Sequence, residues 1–248
     1  MGNAIAVVGP PGSGKTTSVL PNEEYNIVGL NPAETVVISC AGGGKPMLFP
    51  NAKKHYKTGK LKDGANHIFQ TDPQAVATII SAVGGGLKDD HGNLLPVKEE
   101  YLKYKNIVVD DPQSLQMFIF MDKALETGFA KFSIIGRAAY LPLKAAAEMT
   151  RDDVNIIFLY HSEETNGGDK KIKTAGKLVD NYLTIEGLFS FVFFTKVERD
   201  FVTKKAKYWF QTQSDGFTTA KSPAGCFEFE IPNDMNFVLT RIKEYLGE

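Results

Sequence analysis

A glycine-rich segment lies directly behind the first apolar run of the chain. Residues 4–8 (AIAVV) form that run, and residues 9–16 (GPPGSGKT) follow it without a break. The segment satisfies the pattern G-x-x-x-x-G-K-[ST], in which glycines let successive backbone N–H groups turn around phosphate oxygens without interference from a Cβ. The pattern requires a buried strand before it and a helix after it. The sequence therefore predicts a P-loop at the end of the first core strand.

The residues of this loop have separate expected roles. Lys15 brings a compact positive charge to the β- and γ-phosphates of a nucleotide, and the hydroxyl of Thr16 is a ligand for Mg²⁺. An ordinary glycine-rich turn, the alternative interpretation, explains neither residue. The positions expected to bind the nucleotide are Gly9, Pro10, Pro11, Gly12, Ser13, Gly14, Lys15, Thr16 and Thr17.

Two adjacent carboxylates end another buried run, at residues 106–111 (NIVVDD). A P-loop needs an acid that holds Mg²⁺ through water at the end of a nearby strand, and Asp110 has that place. Asp111 is a candidate base that orients and deprotonates the attacking water, because a cation lets both carboxylates stay ionised. An equally good interpretation makes Asp111 a cap of the following helix, for which Ser114 is also a candidate.

A histidine follows a later apolar run, at residues 154–160. In a parallel sheet His161 would emerge at the carboxyl edge, where ligands bind, and it is a candidate sensor of the γ-phosphate. A solvated histidine, or one satisfied within the core, is the alternative.

Two lysine-rich segments are candidate contacts for a nucleic acid backbone. Residues 162–177 are expected as a loop beside the nucleotide site, where a phosphodiester strand could bind in a nucleotide-dependent way. Residues 51–62 hold five lysines and no acid, with His55 and Tyr56 available for stacking on bases. The alternative for residues 162–177 is a solvated loop, and the alternative for residues 51–62 is a solvated edge. Within residues 162–177, the lysines expected to bind single-stranded DNA are Lys170, Lys171 and Lys173.

Apolar runs and helical patterns alternate along the rest of the chain. This alternation predicts an α/β fold with a doubly wound, mainly parallel sheet covered on both faces, followed by late antiparallel strands and a terminal helix. A glycine turn is expected at 42–44 and a loop insertion at 84–105. The predicted strands are 4–8, 35–39, 67–70, 106–111, 154–160, 188–195, 206–213 and 227–231, and the predicted longer helices are 74–82, 114–126, 138–149, 175–182 and 234–246.

Composition and charge exclude several classes of protein. The net charge is −1, with 28 basic and 29 acidic residues, so any contact with nucleic acid must come from a local patch. Only Cys40 and Cys226 are present, which excludes a disulfide scaffold and a four-cysteine zinc site. No apolar run approaches the roughly 18 residues of a membrane span, and no targeting segment is visible. We expect a soluble protein of a reducing cytoplasm that does not enter a membrane.

The order of these motifs resembles the RecA-like ATPase core: the P-loop, the acids that end residues 106–111, then His161 with the lysine segment behind it. More narrowly, the chain is similar to phage-encoded ATP-binding proteins that consist of this core alone, some of them associated with single-strand annealing recombination. The narrower resemblance is carried by the phrases AET at 33–35, GKPMLF at 44–49, IKTAGK at 172–177 and AKSP at 220–223.

The resemblance implies a single RecA-like P-loop NTPase domain over residues 1–248. Proteins of this kind bind ATP and Mg²⁺ between the subunits of a ring or filament, with DNA-binding loops toward its axis. His161 matches the polar sensor position. The implied setting is the cytoplasm of an infected bacterial host.

The resemblance also suggests catalytic residues beyond the P-loop lysine. Lys221 is expected to reach the ATP of a neighbouring subunit and stabilise transition-state charge, with Arg199 as second choice. RecA proteins carry a catalytic glutamate after the strand that follows the P-loop helix, whereas this chain has residues 39–41 (SCA) there. Asp111 therefore becomes the better candidate base, and we expect an ATPase that is slow without DNA or a partner.

Two functions are compatible with these observations. The first is an ATP-binding, ATP-hydrolysing protein that acts on single-stranded DNA in phage recombination or replication. The second is an ATP-switched, protein-binding or loader-like factor that does not contact DNA.

Two other classes of nucleotide-binding protein do not fit the sequence. A GTPase would need N-K-x-D, which residues 195–198 (TKVE) only approach. A small-molecule kinase would need an arginine-rich lid, but the arginines are scattered: Arg137, Arg151, Arg199 and Arg241.

Overall fold

The computed structural model describes residues 2–41, 52–128, 130–181, 183–202 and 205–247. The glycine turn expected at 42–44 and the phrase at 44–49 lie outside the described residues.

Strands and helices alternate along the chain as the sequence predicts. The strands are β1 Ala4–Gly9, β2 Thr35–Ser39, β3 His67–Phe69, β4 Asn106–Asp110, β5 Asn155–Glu164, β6 Lys170–Ile172, β7 Phe191–Arg199, β8 Ala206–Gln211 and β9 Glu230–Pro232. The helices are α1 Lys15–Val19, α2 Ala52–His55, α3 Pro73–Gly84, α4 Gln113–Asp122, α5 Ala130–Ala147, α6 Lys177–Asp180 and α7 Met235–Leu246.

A single mixed sheet organises these elements, in the strand order β3-β2-β4-β5-β1-β7-β8-β9, with β6 paired to β5. The strands from β3 to β7 in this order run parallel, and β8 and β9 are antiparallel. The parallel part places the carboxyl ends of β1, β4 and β5 at one edge of the sheet. The prediction of a mainly parallel sheet with late antiparallel strands is confirmed.

Helices cover both faces of the sheet, as in a doubly wound fold. Alternate residues of β1 point to opposite faces, so Val7 packs in the cluster that contains Val19 and Val238, next to α1 and α7. Val8 packs in the other cluster, with Leu115 of α4 and residues of α3 and α5. Because both faces are buried, the central strands are continuous apolar runs rather than alternating ones.

The segment expected as a solvated or DNA-binding loop after His161 is a β-hairpin. Strand β5 continues to Glu164, and β6 pairs with it in antiparallel register, with Glu163 opposite Lys171. Lys171 Nζ lies 3.1 Å from a carboxylate oxygen of Glu163 and 2.5 Å from one of Asp180. Ile172 is 1% exposed and anchors the hairpin in the core. Opposite charges across the strands and this apolar anchor explain the difference from the prediction.

Several helix boundaries differ from the prediction. Helix α5 begins at Ala130 rather than residue 138, and α6 spans only Lys177–Asp180. The N-cap of α4 is Pro112, which makes no side-chain cap, so the capping roles predicted for Asp111 and Ser114 are wrong. In the described part of the chain, no helix is both long and apolar enough to cross a lipid bilayer.

Candidate functional site

The glycine-rich segment forms a tight loop between β1 and α1. Strand β1 is flanked by β5 and β7, so the loop emerges from the middle of the sheet. Ser13 Oγ donates a hydrogen bond to the carbonyl of Pro10 at 2.7 Å, which closes the turn. Gly12 and Gly14 have φ angles of +75° and +94°, in the left-handed region that glycine adopts without strain.

Gly9 is required by the close approach of β7. A Cβ at this position would lie 1.8 Å from Thr195 Oγ1. That hydroxyl donates a hydrogen bond of 2.6 Å to Ser13 Oγ and lies 3.3 Å from the carbonyl of Val8. Thr195 therefore supports the P-loop from the neighbouring strand, a role that no sequence motif indicates.

The side-chain ammonium group of Lys15 lies against the backbone of the P-loop. Its Nζ donates hydrogen bonds to the carbonyls of Gly9 at 2.8 Å and Pro10 at 3.0 Å, and the residue is 6% exposed. The ammonium group is therefore held by two backbone carbonyls of the loop. Phosphate oxygens of a bound ligand could replace these carbonyls as hydrogen-bond acceptors.

A cavity of about 360 Å³ opens beside the loop. Its size falls in the range of small-molecule sites. It brings together three parts of the chain whose sequence patterns are separate: the P-loop, Asp111 and His161. It also includes Tyr208 of β8, which no sequence pattern indicates. The lining residues are Pro11, Gly12, Gly14, Lys15, Thr16, Thr17, Asp111, His161 and Tyr208.

Asp111 and His161 contact each other in this cavity. His161 Nε2 lies 3.0 Å from Asp111 Oδ1, and Gln113 Nε2 donates a second hydrogen bond to the same oxygen at 3.2 Å. An ionised carboxylate only accepts, so Nε2 carries the proton in this contact. Asp111 is 5% exposed and has φ +56°, a conformation that aspartate tolerates better than most residues. Its carboxylate is thus held in one orientation.

Gln113 joins the ends of β4 and β5, and sequence reasoning missed it. Besides its bond to Asp111, its Oε1 accepts a hydrogen bond from the backbone N–H of His161 at 3.4 Å. The residue is 4% exposed. A glutamine in the first turn of a helix carries no recognisable motif, so only the structure reveals its role.

Asp110 is the last residue of β4 and directly precedes Asp111. It pairs in register with Ser39 of β2 and Leu159 of β5 and is 6% exposed. Among the described residues, the cavity lining includes Asp111 and not Asp110.

Cys40 lies near these two carboxylates. Burial, followed by the charges of Asp110 and Asp111, raises the pKa of Cys40 well above its usual value. Cys40 is therefore an inert buried thiol, and Cys226 is a buried free thiol as well.

The two cations expected to act between subunits have different surroundings. Lys221 pairs with Val192 through backbone hydrogen bonds, and Val192 pairs with Ala6. Lys221 therefore lies about 10 Å before the start of the P-loop along the strand direction. Arg199 is exposed at the end of β7.

The lysine-rich segments differ in their exposure. Lys170 and Lys173 are exposed, whereas Lys171 is held by the carboxylates described above. The five lysines of residues 51–62 are all exposed. Tyr56 is 6% exposed and packs in the core, so the prediction that it stacks on bases is wrong.

No protein-family model matches this chain, and no curated protein matches it. Among the described residues, no group of three or more His, Cys, Asp or Glu side chains is arranged to hold a metal ion. The geometry of the P-loop cavity therefore carries the functional assignment.

Proposed function

We propose that this chain binds ATP with Mg²⁺ at the P-loop and hydrolyses it. The observation that carries the proposal is the single cavity in which Lys15 and Thr16 meet Asp111 and His161. A structural glycine turn would leave no reason for a lysine, a buried carboxylate and a histidine from three distant segments to face the same space.

Phosphate binding follows from the loop itself. Backbone N–H groups of a glycine-rich turn form a concave site for anions, and Lys15 adds a full positive charge within it. The hydrogen bonds of Lys15 Nζ to Gly9 and Pro10 are replaceable by bonds to the β- and γ-phosphates. Charge-assisted bonds of this kind are stronger than the bonds to neutral carbonyl acceptors that they replace.

The residues present fit a magnesium ion that arrives with the nucleotide. Mg²⁺ prefers oxygen ligands, keeps several waters and is usually held by one or two protein groups together with substrate phosphates. Thr16, part-buried at the cavity, would supply a hydroxyl, and Asp110 would hold the ion through water. The ion would neutralise charge on the phosphates. A cluster of three protein ligands is not needed for this mode of binding.

Asp111 is proposed as the group that activates water. In hydrolysis, a water oxygen bonds to the γ-phosphorus, the bond to the β–γ bridging oxygen breaks, and ADP and phosphate leave. Asp111 orients the water and accepts its proton, while His161 and Gln113 hold the carboxylate in place. His161 also lies where it could respond to the γ-phosphate, since it lines the same cavity.

The finer fold assignment, a RecA-like core, is part of the proposal. It is supported by β5 lying between the P-loop strand β1 and the strand β4 that ends in Asp110, with β8 and β9 added at one side. Ring or filament formation, with Arg199 or Lys221 acting on a neighbour's ATP, follows from the same resemblance. So does a role in phage recombination or replication in the cytoplasm of an infected bacterial host.

A phosphate-release assay tests the activity. With ATP and Mg²⁺ the wild-type chain should release phosphate in multiple turnovers, and chelation of Mg²⁺ should abolish the release. A folded chain that releases no phosphate from ATP in the presence of Mg²⁺, with or without single-stranded DNA, would contradict the hydrolytic part of the proposal.

Binding of single-stranded DNA is the second part of the proposal, and the exposed lysines favour it. Lys170 and Lys173 lie on and just after β6, in the hairpin that continues from His161, and five more exposed lysines lie in residues 51–62. Because Lys171 is paired with carboxylates, we expect fewer phosphate contacts from the hairpin than its sequence suggests.

We expect fluorescence anisotropy to detect binding of a labelled single strand in the presence of a non-hydrolysable ATP analogue. Replacing Lys170 and Lys173 with Ala should reduce the salt dependence by about 0.7 in log–log slope for each DNA phosphate that is no longer neutralised. Lys53→Ala with Lys54→Ala provides the same comparison for the second segment, and Lys144→Ala on α5 is the control. Absence of binding at low salt, with and without the analogue, would favour the ATP-switched, protein-binding alternative.

A further inference from the structure

A second cavity, of about 700 Å³, lies next to the phosphate site. Tyr208 lines both cavities. A Cβ on Gly14 would lie 2.8 Å from Tyr208 Cδ1 and 2.9 Å from Asn233 Nδ2, so both side chains pack directly on the P-loop backbone. A ligand whose phosphates occupy the P-loop would therefore extend past Tyr208 into the second cavity.

We infer that this second cavity binds the base of the nucleotide, with Tyr208 and Tyr25 stacking on the base and Asn233 accepting a hydrogen bond from its exocyclic amine. The inference rests on the proposed binding of ATP and adds where the base lies and which residues hold it. Nothing in the P-loop motif specifies a base, because the motif contacts only phosphates and Mg²⁺.

Tyr208 and Tyr25 form the aromatic part of the cavity. Their ring centroids are 5.2 Å apart with an interplanar angle of 81°, an edge-to-face arrangement. This geometry is favourable for aromatic pairs and holds each ring in one orientation. Aromatic side chains bind bases by stacking, which depends little on which base is present. Tyr208 and Tyr25 thus supply affinity, and specificity requires polar groups.

The turn that carries Tyr25 is held in place by hydrogen bonds. Asn22 and Ile27 pair through backbone bonds of 2.8 and 2.9 Å, with Tyr25 between them. The carboxylate of Asp234 accepts hydrogen bonds from Val28 N at 2.8 Å and Gly29 N at 3.0 Å. The aromatic wall therefore exists before a ligand binds, which avoids the entropic cost of ordering it.

Asn233 supplies the polar group that reads the base. Its Nδ2 donates a hydrogen bond to the carbonyl of Gly14 at 3.1 Å, and the residue is 3% exposed. Its Oδ1 is buried and has no hydrogen-bond partner among the residues that the structure describes. A buried acceptor without a partner is unfavourable, and an amine of the ligand would satisfy it. Adenine carries such an amine at N6, and guanine carries one at N2.

The lining of the cavity is mainly acidic. Among the described residues, its lining holds the carboxylates of Glu24, Glu198, Glu230 and Asp234 and one lysine, Lys207. Carboxylates accept hydrogen bonds and do not donate them, so they are compatible with the amino group of adenine. The same acidic lining directs the triphosphate away from this cavity and toward Lys15.

Competition binding with three ligands tests the inference on the wild-type chain. ATP should bind at least about 10-fold more tightly than purine riboside triphosphate, which lacks the amine, and inorganic tripolyphosphate reports binding at the P-loop alone. Equal affinities for ATP and purine riboside triphosphate would contradict the role of Asn233. Failure of ATP and of inorganic tripolyphosphate to bind would instead contradict the proposed function itself.

Variants of Tyr208 test the stacking part. Tyr208→Ala should weaken ATP binding about 10- to 100-fold and leave binding of tripolyphosphate unchanged, because the loss concerns the base alone. Tyr208→Phe should retain most of the affinity, and Tyr245→Ala, at an exposed tyrosine of α7, is the matched control. If Tyr208→Ala does not fold, Tyr25→Ala is measured in its place. Equal losses for ATP and tripolyphosphate, or no loss for ATP, would overturn the assignment.

Discussion

Replacement of Lys15 with Ala is expected to weaken ATP binding about 10- to 100-fold. Hydrogen bonds to a charged group contribute about 1.5–3 kcal/mol each, and Lys15 brings the side-chain charge that lies within the P-loop. The backbone N–H groups of the loop cannot replace this charge. Competition against a fluorescent ATP analogue measures the change, and inorganic tripolyphosphate should lose affinity to a similar extent because Lys15 contacts phosphates and not the base.

Two comparisons separate this effect from a loss of folding. Lys144→Ala removes a lysine whose side chain is 47% exposed on α5, and it should leave ATP affinity unchanged. Lys15→Arg keeps the positive charge but replaces the compact ammonium group with a planar guanidinium, so this variant should retain part of the affinity for ATP. A Lys15→Ala variant with the circular dichroism spectrum of the wild type and unchanged affinity for ATP would contradict the assignment of the P-loop.

The Asp111→Asn variant is expected to bind ATP normally and to hydrolyse it about 10²- to 10⁴-fold more slowly, the usual contribution of a general base. Asn keeps the oxygen that accepts hydrogen bonds from His161 and Gln113, and it tolerates the left-handed backbone conformation at this position. The substitution therefore removes the basic oxygen with little change in structure. Single-turnover phosphate release, together with ATP affinity, separates the two effects.

The neighbouring carboxylate provides the matched comparison. Asp110→Asn should weaken ATP binding in the presence of Mg²⁺ and have little effect in its absence, because Asp110 is proposed to act through the ion. Asp111→Asn should not show this dependence on Mg²⁺. Wild-type hydrolysis by Asp111→Asn would contradict its role as the base and leave that role to another residue.

The P-loop and the central strands could be predicted because their signals are local. Glycines at positions 12 and 14 satisfy the left-handed backbone angles, and the apolar run of β1 is buried on both faces. Lys15 and Thr16 are fixed by the same eight-residue segment. Each of these features depends on residues that are adjacent in sequence, so the pattern contains the information that the local structure requires.

The contacts around Asp111 depend on strand order, which the sequence leaves open. Asp111 and His161 meet because β4 and β5 are neighbours in parallel register. Gln113 and Tyr208 carry no motif, and their roles arise from the same placement of strands and from the antiparallel pairing of β8. The polar composition of the β5–β6 hairpin predicts a loop, because pairing across the two strands, such as that of Lys171 with a carboxylate, leaves no periodic apolar pattern.

Titration of ATP and Mg²⁺ into the wild-type chain in a calorimeter tests the central claim most directly. We predict saturable binding of ATP with one site per chain, weakened about 10- to 100-fold in Lys15→Ala. Tripolyphosphate should bind at the same site with lower affinity than ATP. A folded wild-type chain that binds neither ATP nor tripolyphosphate at millimolar concentrations would contradict the claim that the cavity beside Lys15 is a nucleotide site.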